Sequence, residues 1–105
     1  MKINVQNVIH NIKITIAKNP EPIKRIGVFG SLVNGNFTDN SDIDIAIEYE
    51  PGEAFDFNRF VLFCEMCETI VDDISKTYDR TVDLIHIEDN PRCILNDIAD
   101  EVVWI

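Results

Sequence analysis

The chain has 105 residues and a formal charge of −10, from 19 Asp and Glu against 9 Lys and Arg. That length predicts one domain, residues 1–105, because a second would lack the residues to bury its own core. The acidic balance disfavours direct binding of a nucleic-acid backbone, which needs a basic footprint, and no apolar run nears the ~18 residues that span a bilayer.

The opening MKINVQNVIHNIK is polar throughout and does not read as a signal peptide. With no export signal, the three cysteines point to reduced, metal-free thiols and a cytoplasmic setting. Residues 4–18 place Val5, Val8, Ile9, Ile12 and Ile16 at helical spacing, and Asn19-Pro20 predicts the end of that helix. Residues 26–29, Ile-Gly-Val-Phe, form a short apolar run that stops at Gly30, as a strand entering a tight turn does.

Residues 42–49, Asp-Ile-Asp-Ile-Ala-Ile-Glu-Tyr, alternate strictly. Ile43, Ile45 and Ile47 fall on one strand face, while Asp42, Asp44, Ala46 and Glu48 fall on the other. After a Pro51-Gly52 turn, residues 55–78 predict a long amphipathic helix with a stripe of Phe60, Phe63, Cys64, Cys67, Ile70, Val71, Ile74 and Tyr78. Phe55, Leu62 and Met66 lie to one side of that stripe and Val61 to another. They suggest a second covered surface, used by a partner or a second copy of the chain. Residues 82–87 alternate as a further strand. Asn90-Pro91 suits the start of a short helix holding Ile94, Leu95 and Ile98, and residues 102–105 read as a last strand. The resulting order, with a helical turn after the first strand, implies an α/β (α+β) fold: one mixed central sheet with helices packed mainly on one face.

Three features in this frame carry chemistry. Gly30-Ser31 follows a strand directly, so the backbone can turn sharply and offer a hydroxyl and N–H groups to phosphate oxygens. Asp42 and Asp44 stand two apart, which points both carboxylates to one face where a divalent cation would relieve their repulsion. Asp83 interrupts an otherwise apolar strand, and a charge placed there needs a partner; Arg80 and Lys76 are the structural alternatives to a metal.

The run Phe29-Gly30-Ser31-Leu-Val-Asn-Gly35, followed by Ser41-Asp42-Ile43-Asp44, resembles the Gly-Ser…Asp-x-Asp signature of the DNA polymerase beta superfamily of nucleotidyltransferases. The length, and Val82-Asp83-Leu84-Ile85 after a long helix, narrow the resemblance to the minimal nucleotidyltransferases, often found as antitoxin partners of helical HEPN toxins. The resemblance implies the polymerase-beta-like fold, Asp42, Asp44 and Asp83 as catalytic and metal-binding carboxylates for two Mg²⁺ ions, and Gly30, Ser31 and Asn34 as nucleotide-binding residues. Family members often carry a basic residue where this chain has Asn34, which can hydrogen-bond phosphate but brings no charge.

The implied reaction is transfer of AMP from ATP to a hydroxyl, with a HEPN-type protein as partner. A non-catalytic, toxin-binding antitoxin is one alternative, and a small catalytic subunit acting on an antibiotic-type molecule is another. Cys64-Glu-Met-Cys67 reads as two core thiols rather than a zinc or redox pair, since Cys93, His86 and His10 are scattered and no second such pair exists. Glu48 and Glu50 read as members of a solvated face and loop.

Overall fold

A computed structural model of the chain describes residues 3–18, 22–50, 52, 56–87 and 101–105. Helix α1, Val5–Ala17, starts where Asn4 caps it, the side-chain oxygen accepting a hydrogen bond from the Asn7 N–H at 2.8 Å. Its inward face is Val8, Ile12 and Thr15. The Asn19-Pro20 stop lies outside the described residues.

Strand β1, Ile23–Phe29, begins three residues before the apolar run. Lys24 and Arg25 disguise its start in the sequence, and a pairing irregularity between Ile23 and Arg25 breaks the alternation there. Strand β2, Ile43–Tyr49, buries Ile43, Ile45 and Ile47 completely, each contributing about 1.5–3 kcal/mol of transfer free energy. Asp42 stands just before this strand rather than within it.

Helix α3, Phe57–Tyr78, is capped by Asp56, whose carboxylate accepts from the N–H groups of Asn58 and Arg59. It ends at Asp79, which adopts a left-handed conformation at φ 53° and returns its N–H to Ser75 O. The buried stripe is Phe63, Met66, Cys67, Ile70, Ile74 and Tyr78. Two expectations fail here. Cys64 is exposed and Phe60 is 39% exposed, whereas Met66, expected beside the stripe, is buried. At about 100° per residue, Cys64 is turned a full step away from Phe63. Phe60 lies near the start of the helix, with its ring edge-on to Tyr49 at 5.7 Å. Leu62 and Phe57 remain exposed, while Phe55 lies outside the described residues.

Strand β3, Val82–His86, and strand β4, Val103–Trp104, complete a sheet of order β3-β2-β1-β4. The β2–β3 pair is parallel, and β1 pairs antiparallel with both β2 and β4. Gly27 sits where β4 crosses closest: a Cβ there would stand 2.5 Å from Val103 O. Helices α1 and α3 cover one face of the sheet, packing Val8, Ile12, Phe63, Ile70 and Ile74 onto Ile26, Val28 and the three isoleucines of β2. A polar seam joins the two helices. Asn11 Nδ2 donates to the Tyr78 hydroxyl at 2.6 Å, and the buried Thr15 Oγ1 lies 3.1 Å from Asp73 Oδ2.

The opposite face holds a smaller cluster of Phe29, Ala46, Ile87 and Val102, with Ile85 and Trp104 against it. The short helix expected after Asn90-Pro91 lies outside the described residues. The chain has the mixed α/β architecture expected of it, with both long helices on the same side of the sheet.

Candidate active site

Strand pairing assembles the site on the sheet face that α1 and α3 leave uncovered. Register places Phe29 of β1 opposite Asp44 of β2, and Asp44 opposite Asp83 of β3. Two carboxylates thus lie abreast on neighbouring strands. The chain leaves β1 at Gly30, with φ 75° and ψ −149°, a conformation that side chains rarely adopt. A Cβ on Gly30 would also collide with Asp44 Oδ2, so glycine is required twice over, by conformation and by close approach.

The next residues form helix α2, Ser31–Asn34, a single turn closed by the N–H groups of Val33 and Asn34 on Gly30 O, each at 3.0 Å. Leu32 anchors that turn in the core. Ser31 is therefore held one residue from the backbone that touches Asp44. Gly35, at φ 88°, closes α2 by donating to Ser31 O. Asn34 is exposed and already engaged: its Nδ2 donates to Glu101 Oε1 at 3.1 Å, and its Oδ1 accepts from the Asn36 N–H at 3.1 Å.

The electrostatics of the site centre on Asp44. Its carboxyl is raised from the ordinary 3.8 to about 6. Burial is the largest cause, followed by the negative charges of Asp83, Asp42 and Glu101. Four carboxylates therefore act on one locality. Glu101 is a member that sequence reasoning missed, because only the antiparallel return of β4 beside β1 brings the end of the chain to Asn34. Asp83 and Asp42 are exposed.

The expected structural partners of Asp83 are used elsewhere. Arg80 Nη1 donates to Thr38 O at 2.8 Å and Ser41 O at 3.1 Å, while Lys76 Nζ stands 3.8 Å from Asp72 Oδ2. Glu48, expected on a solvated face, accepts from Arg25 Nε at 2.7 Å, and the Arg25 guanidinium lies 4.2 Å from the Trp104 ring.

Hard oxygen donors, one of them half-buried and strained by like charges, suit a cation of the magnesium type. The glycine that makes room for Asp44 suits it equally. Among the described residues, however, no three His, Cys, Asp or Glu side chains converge to hold a metal ion as they stand. Cys64 is exposed and Cys67 buried, and Cys93 lies outside the described residues. His86 packs its ring against Phe63 at 5.7 Å, in keeping with a structural role. No helix among the described residues is long and apolar enough to cross a membrane.

Comparison with known proteins places the fold in a family. Residues 10–105 match the family described as polymerase beta, nucleotidyltransferase. A relative from Methanocaldococcus jannaschii, named as a putative protein adenylyltransferase, is 37% identical over 92 residues, covering 86% of this chain and 84% of its own. Among solved structures, a protein described as a putative minimal nucleotidyltransferase superposes with a TM-score of 0.68 at 14% identity, covering 96% of this chain and 95% of that one. A toxin–antitoxin complex with AMP-PNP gives 0.63 at 20% identity, covering 90% and 69%. A tri-AMPylated Shewanella oneidensis HEPN toxin bound to its MNT antitoxin gives 0.59 at 17% identity, covering 94% and 69%. At those identities the solved structures establish the shared fold, and the sequence match establishes the family: the chain belongs to the polymerase beta type of nucleotidyltransferases.

Proposed function

We propose that the chain transfers AMP from ATP to a hydroxyl of a protein partner, acting in the cytoplasm as the antitoxin of a HEPN-type toxin. The observation that carries this reading is the placement of Asp44 between Gly30 and Asp83, with Ser31 on the adjoining turn. The similarity to a protein named as a putative protein adenylyltransferase, and to a complex of a HEPN toxin with its MNT antitoxin, supports the choice of nucleotide and partner.

Asp42, Asp44 and Asp83 are the residues to hold divalent cations, two Mg²⁺ ions in the full site. Bound there, the cations neutralise the triphosphate and the charge that builds up in displacement at its α-phosphorus. Ser31 donates its hydroxyl to a non-bridging phosphate oxygen and, with Asn34, fixes the triphosphate for in-line attack. The acceptor oxygen forms the new bond to the α-phosphorus as the bridging bond to the β-phosphate breaks. Pyrophosphate leaves, and the acceptor proton passes to Asp83.

A purely binding antitoxin is the second reading. It is favoured by Asn34, which is uncharged and already bonded to Glu101 and Asn36. Calorimetry with ATP, with and without Mg²⁺, tests the site. Nucleotide binding is expected to require the metal and to be lost in Asp42→Asn plus Asp44→Asn; equal binding by that double variant overturns the assignment.

A further inference from the structure

We propose that Arg80 is a positioning residue for Asp42, holding the loop that carries this carboxylate in place beside Asp44; the proposal rests on the metal-site reading above for its functional consequence. Asp42 needs such a device. It precedes β2, so the strand ladder that fixes Asp44 and Asp83 does not reach it. The loop from Asn36 to Asp42 contains no helix or strand.

The residues that follow α3 grip this loop on both sides of Asp42. On one side, Arg80 Nη1 donates to Ser41 O at 3.1 Å and to Thr38 O at 2.8 Å. On the other, the Ile43 N–H donates to Thr81 O at 2.9 Å. Asp42 is therefore bracketed by bonds from two consecutive residues, three and two positions before Asp83. One rigid corner sets the spacing of the first and third carboxylates.

The guanidinium is built into this corner. It lies 5.0 Å from the Phe37 ring, and only 18% of the Arg80 side chain is exposed. The left-handed turn at Asp79 ends α3, and the Arg80 N–H bonds back to Ser75 O. Asp39, 3.8 Å away and fully exposed, adds a contact of little energetic weight. A planar, multi-donor group can satisfy two carbonyls at once while lying against a ring, a combination that lysine does not offer.

The loop's own bonds hold its tip. The Thr38 N–H donates to Ser41 Oγ at 2.8 Å, and the Ser41 N–H to Thr38 O at 3.1 Å. Arg80 joins that preformed tip to the end of α3. Its removal leaves the tip intact and frees its attachment, and with it Asp42.

The experiment combines two readouts on Arg80→Gln and Arg80→Lys. In the metal-free protein, ¹⁵N relaxation at Asp42 is expected to show increased fast motion in both variants, while Ile45 and Ile47 in β2 stay rigid. Unchanged relaxation and chemical shifts at Asp42 in both variants overturn the proposal, whether or not the protein binds metal. Mn²⁺ titration then reads the consequence. Each variant is expected to bind Mn²⁺ about tenfold more weakly than the native chain, the size typical of lost ligand support. In an Asp42→Asn background the same substitutions should cause no further loss, because Arg80 acts through Asp42. A full additional loss there indicates a general structural role and overturns the proposal. A native chain that binds no Mn²⁺ refutes the metal-site reading instead, and leaves the relaxation result to decide the role of Arg80.

Discussion

Asp44 and Asp83 are register partners across the parallel β2–β3 pair, and the charge of Asp83 is one of the causes that raise the Asp44 carboxyl to about 6. Ionised Asp44 therefore costs the folded, metal-free protein stability. The folded value lies above the ordinary 3.8, so the favourable contribution is complete below 3.8 and is lost as pH rises through 6. Asp44→Asn removes this cost. In chelator, the variant is expected to melt above the native chain at pH 8, with the gap shrinking between pH 6 and pH 4. Thermal denaturation followed by circular dichroism checks this. A gap that does not change with pH would show that Asp44 is not under electrostatic strain.

Gly30→Ala is expected to destabilise the fold, by about 1–3 kcal/mol for the backbone conformation alone, with displacement of Asp44 added. Urea denaturation measures the loss. The Asp44 carboxyl, followed by NMR, should shift as its neighbour is pushed aside. An alanine variant as stable as the native chain would contradict the close packing of Gly30 on Asp44.

The two thiols of α3 should react differently. Cys64 is exposed and Cys67 buried. A maleimide reagent on the native protein is expected to label Cys64 readily and to reach Cys67 only on unfolding, as peptide mass mapping would show. Equal labelling of both would mean that the helix is rotated from the orientation described.

Parts of this architecture are legible from residue order because they rest on local rules. The alternation of Ile43, Ile45 and Ile47 announces a half-covered strand and fixes which face carries Asp44. Gly30 marks the turn because no other residue tolerates its conformation. Asp42, however, reads as the first strand residue, whereas β2 begins one residue later and Asp42 depends on a loop. The apolar spacing of α3 turns its predicted stripe too far round, putting Cys64 inside and Met66 beside it. A helix contacting both a sheet and a second helix selects its buried face by tertiary packing that its own sequence only brackets.

The contacts of Arg80 and the place of Glu101 are hidden from the sequence for a different reason. Arg80 bonds to carbonyls 42 and 39 residues away, and Glu101 to an amide 67 residues away. Backbone carbonyls carry no residue-specific signal, so a charged residue that binds them looks like any surface charge. The pairing of Asp83 with Arg80 that the sequence allows gives way to the turn at Asp79, which carries Arg80 to Ser41 O.

The proposed reaction places AMP on a protein, which a mere binding surface would not do. Intact-mass spectrometry of the HEPN-type partner, after incubation with ATP and Mg²⁺, tests it most directly when the native chain is compared with Asp83→Asn. If Asp83 takes the acceptor proton, its loss should slow transfer by about 100-fold or more, while much of the ATP binding survives, because the role is exercised mainly in the transition state. AMP-modified partner is expected with the native chain, and little or none with the variant over the same interval. A partner left unmodified by the native chain, yet neutralised fully by both proteins, would contradict it.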